Sequence, residues 1–170
     1  MNRRSIALLA LIACCATSAV ALAALPKVKP KTGNYAGKSA DAKNPGTLRV
    51  TKVNGAYRAA LLKLLFHVDC SDANGNPSQD NVEIKVIGKF HKATVTTDKN
   101  ASVRSYKLTA KRQTTGPPGQ RTSYYNLEAE FIAANRVRVT GIYSDQIADE
   151  SGNTVNECSS GAESWRLKRN

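Results

Sequence analysis

Four cysteines, two histidines and a surplus of basic side chains are the residues of this 170-residue chain with chemistry to offer. Cys14 and Cys15 sit inside an apolar N-terminal run, whereas Cys70 and Cys158 stand alone, about 88 residues apart. Two isolated cysteines form either part of a metal clamp or a disulfide. A structural zinc site needs four ligands at short spacings, and the chain has no C-x2-C and only His67 and His91. A Cys70–Cys158 disulfide is the expectation, and it needs an oxidising compartment. Covalent catalysis needs a nucleophile beside a base, and no G-x-S-x-G, H-E-x-x-H or P-loop is present. The sequence sets His67 next to Asp69 on a strand face and His91 between Lys89 and Lys92, as surface histidines. Glu128 and Glu130 lie two apart on one strand face. Two solvated glutamates meet the separation of a glycosidase pair by accident as easily as by function. Asp72-Ala73-Asn74-Gly75-Asn76 opens like a calcium loop, but Pro77 stands where that loop needs glycine and no Glu closes it. No catalytic residue, metal ligand or cofactor is therefore assigned.

Charge is the remaining signal. Between Ile84 and Tyr125 nine Lys and Arg residues face one acid, Asp98. The candidates for anion binding are Lys85, Lys89, Lys92, Lys107, Lys111, Arg112 and Arg121. From Asn126 to Glu163 the balance reverses, with seven acids against Arg136 and Arg138. The formal net charge of the whole chain is +12. A surplus of this size attracts polyanions without reading their sequence, and it also serves plain solubility. The partner classes it admits are anionic polysaccharide, anionic lipid and extracellular nucleic acid.

Residues 1–24 have the form of a secretory signal peptide. Asn2, Arg3 and Arg4 precede an apolar run from Ile6 to Ala24, and Ala21-Leu22-Ala23 is an A-x-A site that predicts cleavage after Ala23. Removal takes Cys14 and Cys15 away and leaves one cysteine pair. Two alternatives stay open. The run is near the length of a membrane anchor, and Leu11-Ile12-Ala13-Cys14 resembles a lipobox that would tether the protein through Cys14. The expected location is secreted or periplasmic, lipid-anchored in the last case, with no transmembrane segment in the mature chain.

The elements that must position these residues read as strands. Residues 25–32 are a basic, Pro-containing tether expected to be disordered. Residues 33–170 form a single all-β domain. Thr47 to Val53 alternates and runs into Asn54-Gly55, a strong hairpin signal. The return segment is ambiguous: its leucines also fit helical spacing, but apolar residues at the even positions Ala60, Leu62, Leu64, Phe66, Val68 and Cys70 favour a strand. Val82 to Val86, Phe90 to Thr97 and Val103 to Lys111 follow as strands. Gly116-Pro117-Pro118-Gly119 is a loop. Tyr124 to Ala133 and Arg136 to Tyr143 form a second hairpin through Ala134-Asn135. Asp145 to Ser160 reads as a polar loop, and Glu163 to Arg169 as a last strand carrying Trp165 and Leu167 on one face. Eight or nine short strands without a helix predict an antiparallel β-sandwich or barrel with one disulfide.

Five segments in order, Gly33-Asn34-Tyr35-Ala36-Gly37, a strand ending in Cys70, Gly88-Lys89-Phe90, Val139-Thr140-Gly141-Ile142-Tyr143, and Cys158-Ser159-Ser160-Gly161 before Trp165, carry a resemblance. The chain resembles small exported bacterial β-proteins with a G-x-Y-x-G start and a C-x-S-G-x3-W ending. The resemblance implies one all-β domain with one disulfide and brings no activity or functional residue with it. Two function classes follow from the residues: a non-enzymatic exported module with affinity for an anionic polymer or surface, and a hydrolase or enzyme inhibitor with a loop-borne site. Intact-mass measurement of the exported protein is expected to give a chain starting at Ala24 and two hydrogen atoms lighter than its reduced form. A lipid-modified Cys14 terminus would instead establish the anchored form.

Overall fold

A computed structural model describes residues 24–41, 43–116 and 121–170. The expected leader through Ala23, with Cys14 and the A-x-A site, and the Pro117-Pro118-Gly119 part of the expected loop lie outside the described residues. Nine strands account for most of the rest: β1 Gly33–Ser39, β2 Pro45–Val53, β3 Ala56–Asp72, β4 Pro77–Lys89, β5 His91–Thr96, β6 Ser102–Thr114, β7 Arg121–Ala133, β8 Arg136–Ala148 and β9 Thr154–Arg169. All pair antiparallel in one sheet, in the order β4-β3-β2-β1-β9-β8-β7-β6-β5. The domain is all-β, as expected, and the choice between two stacked sheets and one rolled sheet falls to the latter. β4 and β5 form one path bent at Phe90, the first half pairing with β3 and the second with β6. The sheet curls until its two edges approach, where a Cβ on Gly88 would lie 2.7 Å from Leu108. Among the described residues no helix is long and apolar enough to cross a membrane.

Rings from opposite walls fill the interior. Tyr35 on β1 meets Phe131 on β7 edge-on, with centroids 5.9 Å apart. Phe66 on β3 packs against Trp165 on β9 at 4.8 Å and Tyr143 on β8 at 6.1 Å. Phe66 and Trp165 are fully buried. Edge-to-face contact suits the ring quadrupoles and adds to the large apolar area each ring removes from water. β1 passes so close to β9 that a Cβ on Gly37 would sit 2.0 Å from the Arg166 carbonyl oxygen. Only a residue without a side chain fits there.

The ambiguous segment is a strand, β3, and a bulge explains why its pattern is mixed. Ala59 pairs with Gly88 and Leu62 with Val86, so Ala60 and Leu61 together oppose the single residue Ile87. An extra residue flips the side-chain phase. The interior set is therefore Ala59, then Leu62, Leu64, Phe66, Val68 and Cys70, not the even series from Ala60, and Leu61 faces out.

β1 and β2 are short, and β3 outruns them. After pairing with β2 from Ala56 to Leu64, β3 pairs with β9 from Asp69 to Asp72. Cys70 and Cys158 face each other in that register and are bonded. Closing an 88-residue loop limits the unfolded chain by about 4–5 kcal/mol in the chain-entropy account.

Two expectations are corrected. The polar loop from Asp145 to Ser160 shrinks to 149–153, because β8 runs on to Ala148 and β9 starts at Thr154. The closed sheet gives backbone partners to residues whose polarity alone reads as loop. Residues 25–32 are not a loose tether. The Pro26 carbonyl accepts from the Arg104 N–H (2.8 Å), the Val28 N–H donates to the Arg104 carbonyl (2.8 Å), and the Lys31 N–H donates to the Ala134 carbonyl (2.9 Å). The Tyr35 hydroxyl holds the Lys31 carbonyl at 2.6 Å. β7 pairs with β6 only up to Lys107, which leaves the Arg104 edge of β6 open for this segment.

Replacing Cys70 and Cys158 by serine should lower unfolding free energy by about 2–5 kcal/mol, read from denaturant midpoints. Gly37→Ala should be comparably damaging, since the neighbour it meets is backbone. A Gly37→Ala protein as stable as the parent would refute the close β1–β9 approach.

Candidate functional site

The docked N-terminal segment forms one wall of a cleft, and the β5–β6 hairpin forms the other. Lys27, Val28 and Lys29 face Lys92, Ala93, Thr94, Arg104, Ser105 and Tyr106 across a volume of about 630 Å³. The reason lies in the strand phase. Lys92 pairs with Tyr106 and Thr94 with Arg104, so all four side chains share one face of the hairpin. Their opposite face buries Val95 and Val103 against Ile132. Beside the cleft lies a second hollow of about 560 Å³, lined by the β2–β3 turn, Tyr57, Lys89, Phe90 and His91. Lys92 and Tyr106 belong to both. Tyr57 and Tyr106 meet edge-on at 4.9 Å, and the Lys52 ammonium lies 5.4 Å from the Tyr57 ring. Among the described residues lining either hollow there is no carboxylate. Four exposed cations around one cleft, without a counter-charge, attract an anion and hydrogen-bond it in several directions.

The seven basic candidates from the sequence separate into groups. Lys89 and Lys92 line these hollows. Lys85 and Lys63 both pair with Glu83, at 3.0 and 2.5 Å. Lys107 pairs with Glu128 at 2.8 Å and Glu130 at 3.6 Å, and the Glu128 contact holds its ammonium more firmly charged. Lys111 lies 5.5 Å from the Tyr124 ring. Arg121 bonds the buried carboxylate of Asp145. Arg112 lies far along β6, at the level of Tyr125, outside both hollows. Three cleft cations fall outside the sequence candidates: Arg104, within the basic stretch, and Lys27 and Lys29, in the segment that reads as a tether. The alternation of Lys27, Val28, Lys29 and Pro30 was the available signal, since Val28 is half-buried and Pro30 buried.

Charge divides the molecule by barrel end. The cleft end carries Lys27, Lys29, Lys31, Lys52, Arg58, Lys89, Lys92, Arg104, Lys168 and Arg169, where β3 and β6 start and β2, β4, β5 and β9 finish, and its turn acid Asp98 is held by Arg166. Around the disulfide at the other end stand Asp69, Asp72, Asp80, Asp149, Glu150 and Glu157, with Arg121 held among them by Asp145. The calcium-like loop has a local purpose: Asp72 accepts from the Asn74 and Asn76 N–H groups, and the Asn76 side chain returns to it. Asp149 and Asn153 close the β8–β9 turn the same way, so a D-x-x-G-N turn occurs twice.

The groups suggested for hydrolysis do not converge. Glu128 and Glu130 share Lys107, and Arg138 also holds Glu130 at 2.7 Å. His67 presents its backbone N–H to Glu163 at 2.9 Å. Tyr124 lies under Lys111 while Tyr125 packs against the core, on opposite faces as strand geometry requires. Two buried acids mark the interior instead. Glu163 lies beside Trp165 at the point where β3 leaves β2, and burial pushes its pKa up. Asp145 bonds Arg121 and accepts from the Tyr143 hydroxyl at 2.8 Å. Burial and the Asp145 contact push the Tyr143 phenol up to about 12.

No family model, curated protein or solved structure matches this chain.

Both raised groups favour the neutral form in the fold, so their contributions are complete at low pH and are lost as pH rises. For Tyr143 the loss runs from about 10, the unfolded value, to about 12, at roughly 1.4 kcal/mol per pKa unit. Tyr143→Phe should flatten the fall in melting temperature over that interval. Glu163→Gln should raise the melting temperature at pH 8 relative to the parent and leave it nearly unchanged at pH 4. Equal effects at both pH values would remove the assigned cause.

Proposed function

We propose that this protein is an exported, non-enzymatic β-module that binds an anionic polymer or surface through the basic cleft. The observation that carries the reading is the lining of that cleft: Lys27, Lys29, Lys92 and Arg104 around one hollow with no carboxylate among its described residues. Arg104 supplies a planar fork suited to phosphate, sulfate or carboxylate, and the lysines supply mobile point charges. The Cys70–Cys158 bond fits an oxidising compartment, secreted or periplasmic. Because the cleft end gathers these cations and its turn acid, Asp98, is paired with Arg166, the molecule approaches an anion with its cleft leading.

Heparin is a suitable soluble probe. Binding should weaken by roughly 50–150-fold between 50 and 200 mM salt, on the order expected for four displaced counterions. Lys92→Ala with Arg104→Ala should reduce affinity at least tenfold. Lys85→Ala with Arg112→Ala removes the same charge away from the cleft and should reduce it no more than about threefold. Equal losses in the two pairs would mean that bulk charge, not the cleft, does the binding.

A further inference from the structure

We infer that the cleft end is a membrane-docking face, and that its partner is the headgroup layer of a bilayer rich in anionic phospholipid. This rests on the anion-binding reading and selects one partner within it. The selecting observation is apolar. Among the described residues the exposed large hydrophobic side chains are Leu25, Val53, Leu61, Ile87 and Ile142, and the first four lie on the half of the barrel nearer this end. Leu25 adjoins Pro26, whose carbonyl is bonded to β6 at the cleft wall. Val53 precedes the Asn54-Gly55 turn that lines the second hollow. Ile87, 77 % exposed, lies two residues before Lys89, and the β3 bulge turns Leu61 outward opposite it.

A soluble polyanion asks only for charge, and exposed aliphatic groups gain nothing from it. At a bilayer surface the same groups leave water at the headgroup–acyl boundary while neighbouring cations hold lipid phosphates. Tyr57 and Tyr106, half-buried between the two hollows, have the ring-and-hydroxyl character that suits this boundary. The acidic disulfide end is repelled by the same surface, so the barrel stands with its axis toward the membrane and its cleft down. The chain also enters the domain on this side, at Ala24-Leu25-Pro26.

The test compares vesicles with heparin, using the exported protein and a Val53→Ser, Ile87→Ser variant whose melting temperature confirms its fold. Both side chains are exposed, so folding should survive. Sedimentation with phosphatidylcholine vesicles containing about one-third phosphatidylglycerol should carry the parent down, and pure phosphatidylcholine should not. The serine variant should bind the anionic vesicles about tenfold more weakly and heparin as the parent does. Heparin binding without vesicle binding would overturn the inference and leave the anion-binding reading standing. A serine variant that binds vesicles as the parent does would overturn it equally. Failure of the parent to bind either probe would overturn both.

Discussion

The fold depends on one hand-over, where β3 leaves β2 and takes up β9. Without it the chain would form an open nine-stranded sheet with the β1–β2 pair lying between β3 and β9 along their whole length. Because β1 and β2 are short, the two long strands meet beyond them and close that end. Three interactions gather at this point. Phe66 packs on Trp165, the Glu163 carboxylate accepts the His67 N–H, and Cys70 bonds Cys158. The first removes apolar area from water, the second supplies a partner to a backbone donor between diverging strands, and the third makes the closure hard to reverse.

Closure also sets the electrostatics. Strands that run the length of the barrel carry each charged position to one end or the other, and turns at a given end collect from segments distant in sequence. The cleft draws Lys27 and Lys29 from the N-terminal segment, Lys92 from β5 and Arg104 from β6. The acidic end draws Asp72 from the β3–β4 turn and Asp149 from the β8–β9 turn. Charge is thus polarised along the barrel axis, which orients the molecule in any external field of one sign.

Much of the architecture was legible because strand alternation and turn chemistry are local. Asn54-Gly55 does form the β2–β3 turn, with both residues at positive φ, and the Ala134-Asn135 turn joins β7 to β8. The disulfide was legible because Cys70 and Cys158 are the one pair left once the expected leader is set aside. The phase of β3 was not, since a bulge inserts a residue that pairing with β4 creates and no single-strand pattern announces. The polar stretch after Asp145 misled for a related reason. Asp145 is buried because Arg121 and Tyr143 neutralise and bond it from neighbouring positions.

The candidate site divides the same way. Composition and the run from Ile84 to Tyr125 carry the expectation of attraction for anions, and two of the candidates, Lys89 and Lys92, line the hollows. Lys85, Lys107 and Arg121 looked equivalent to them in sequence, yet Lys85 meets Glu83 two residues back on its own strand, and Lys107 and Arg121 meet Glu128 and Asp145 on the neighbouring strand. By itself the sequence determined the amount of positive charge, the strand content and the one cysteine pair, because these follow from residue type and near neighbours. Only the tertiary structure decided which cations stay unpaired and face one another, because that depends on register, bulges and the docking of residues 26–31 on β6, all of them contacts between segments far apart in the chain.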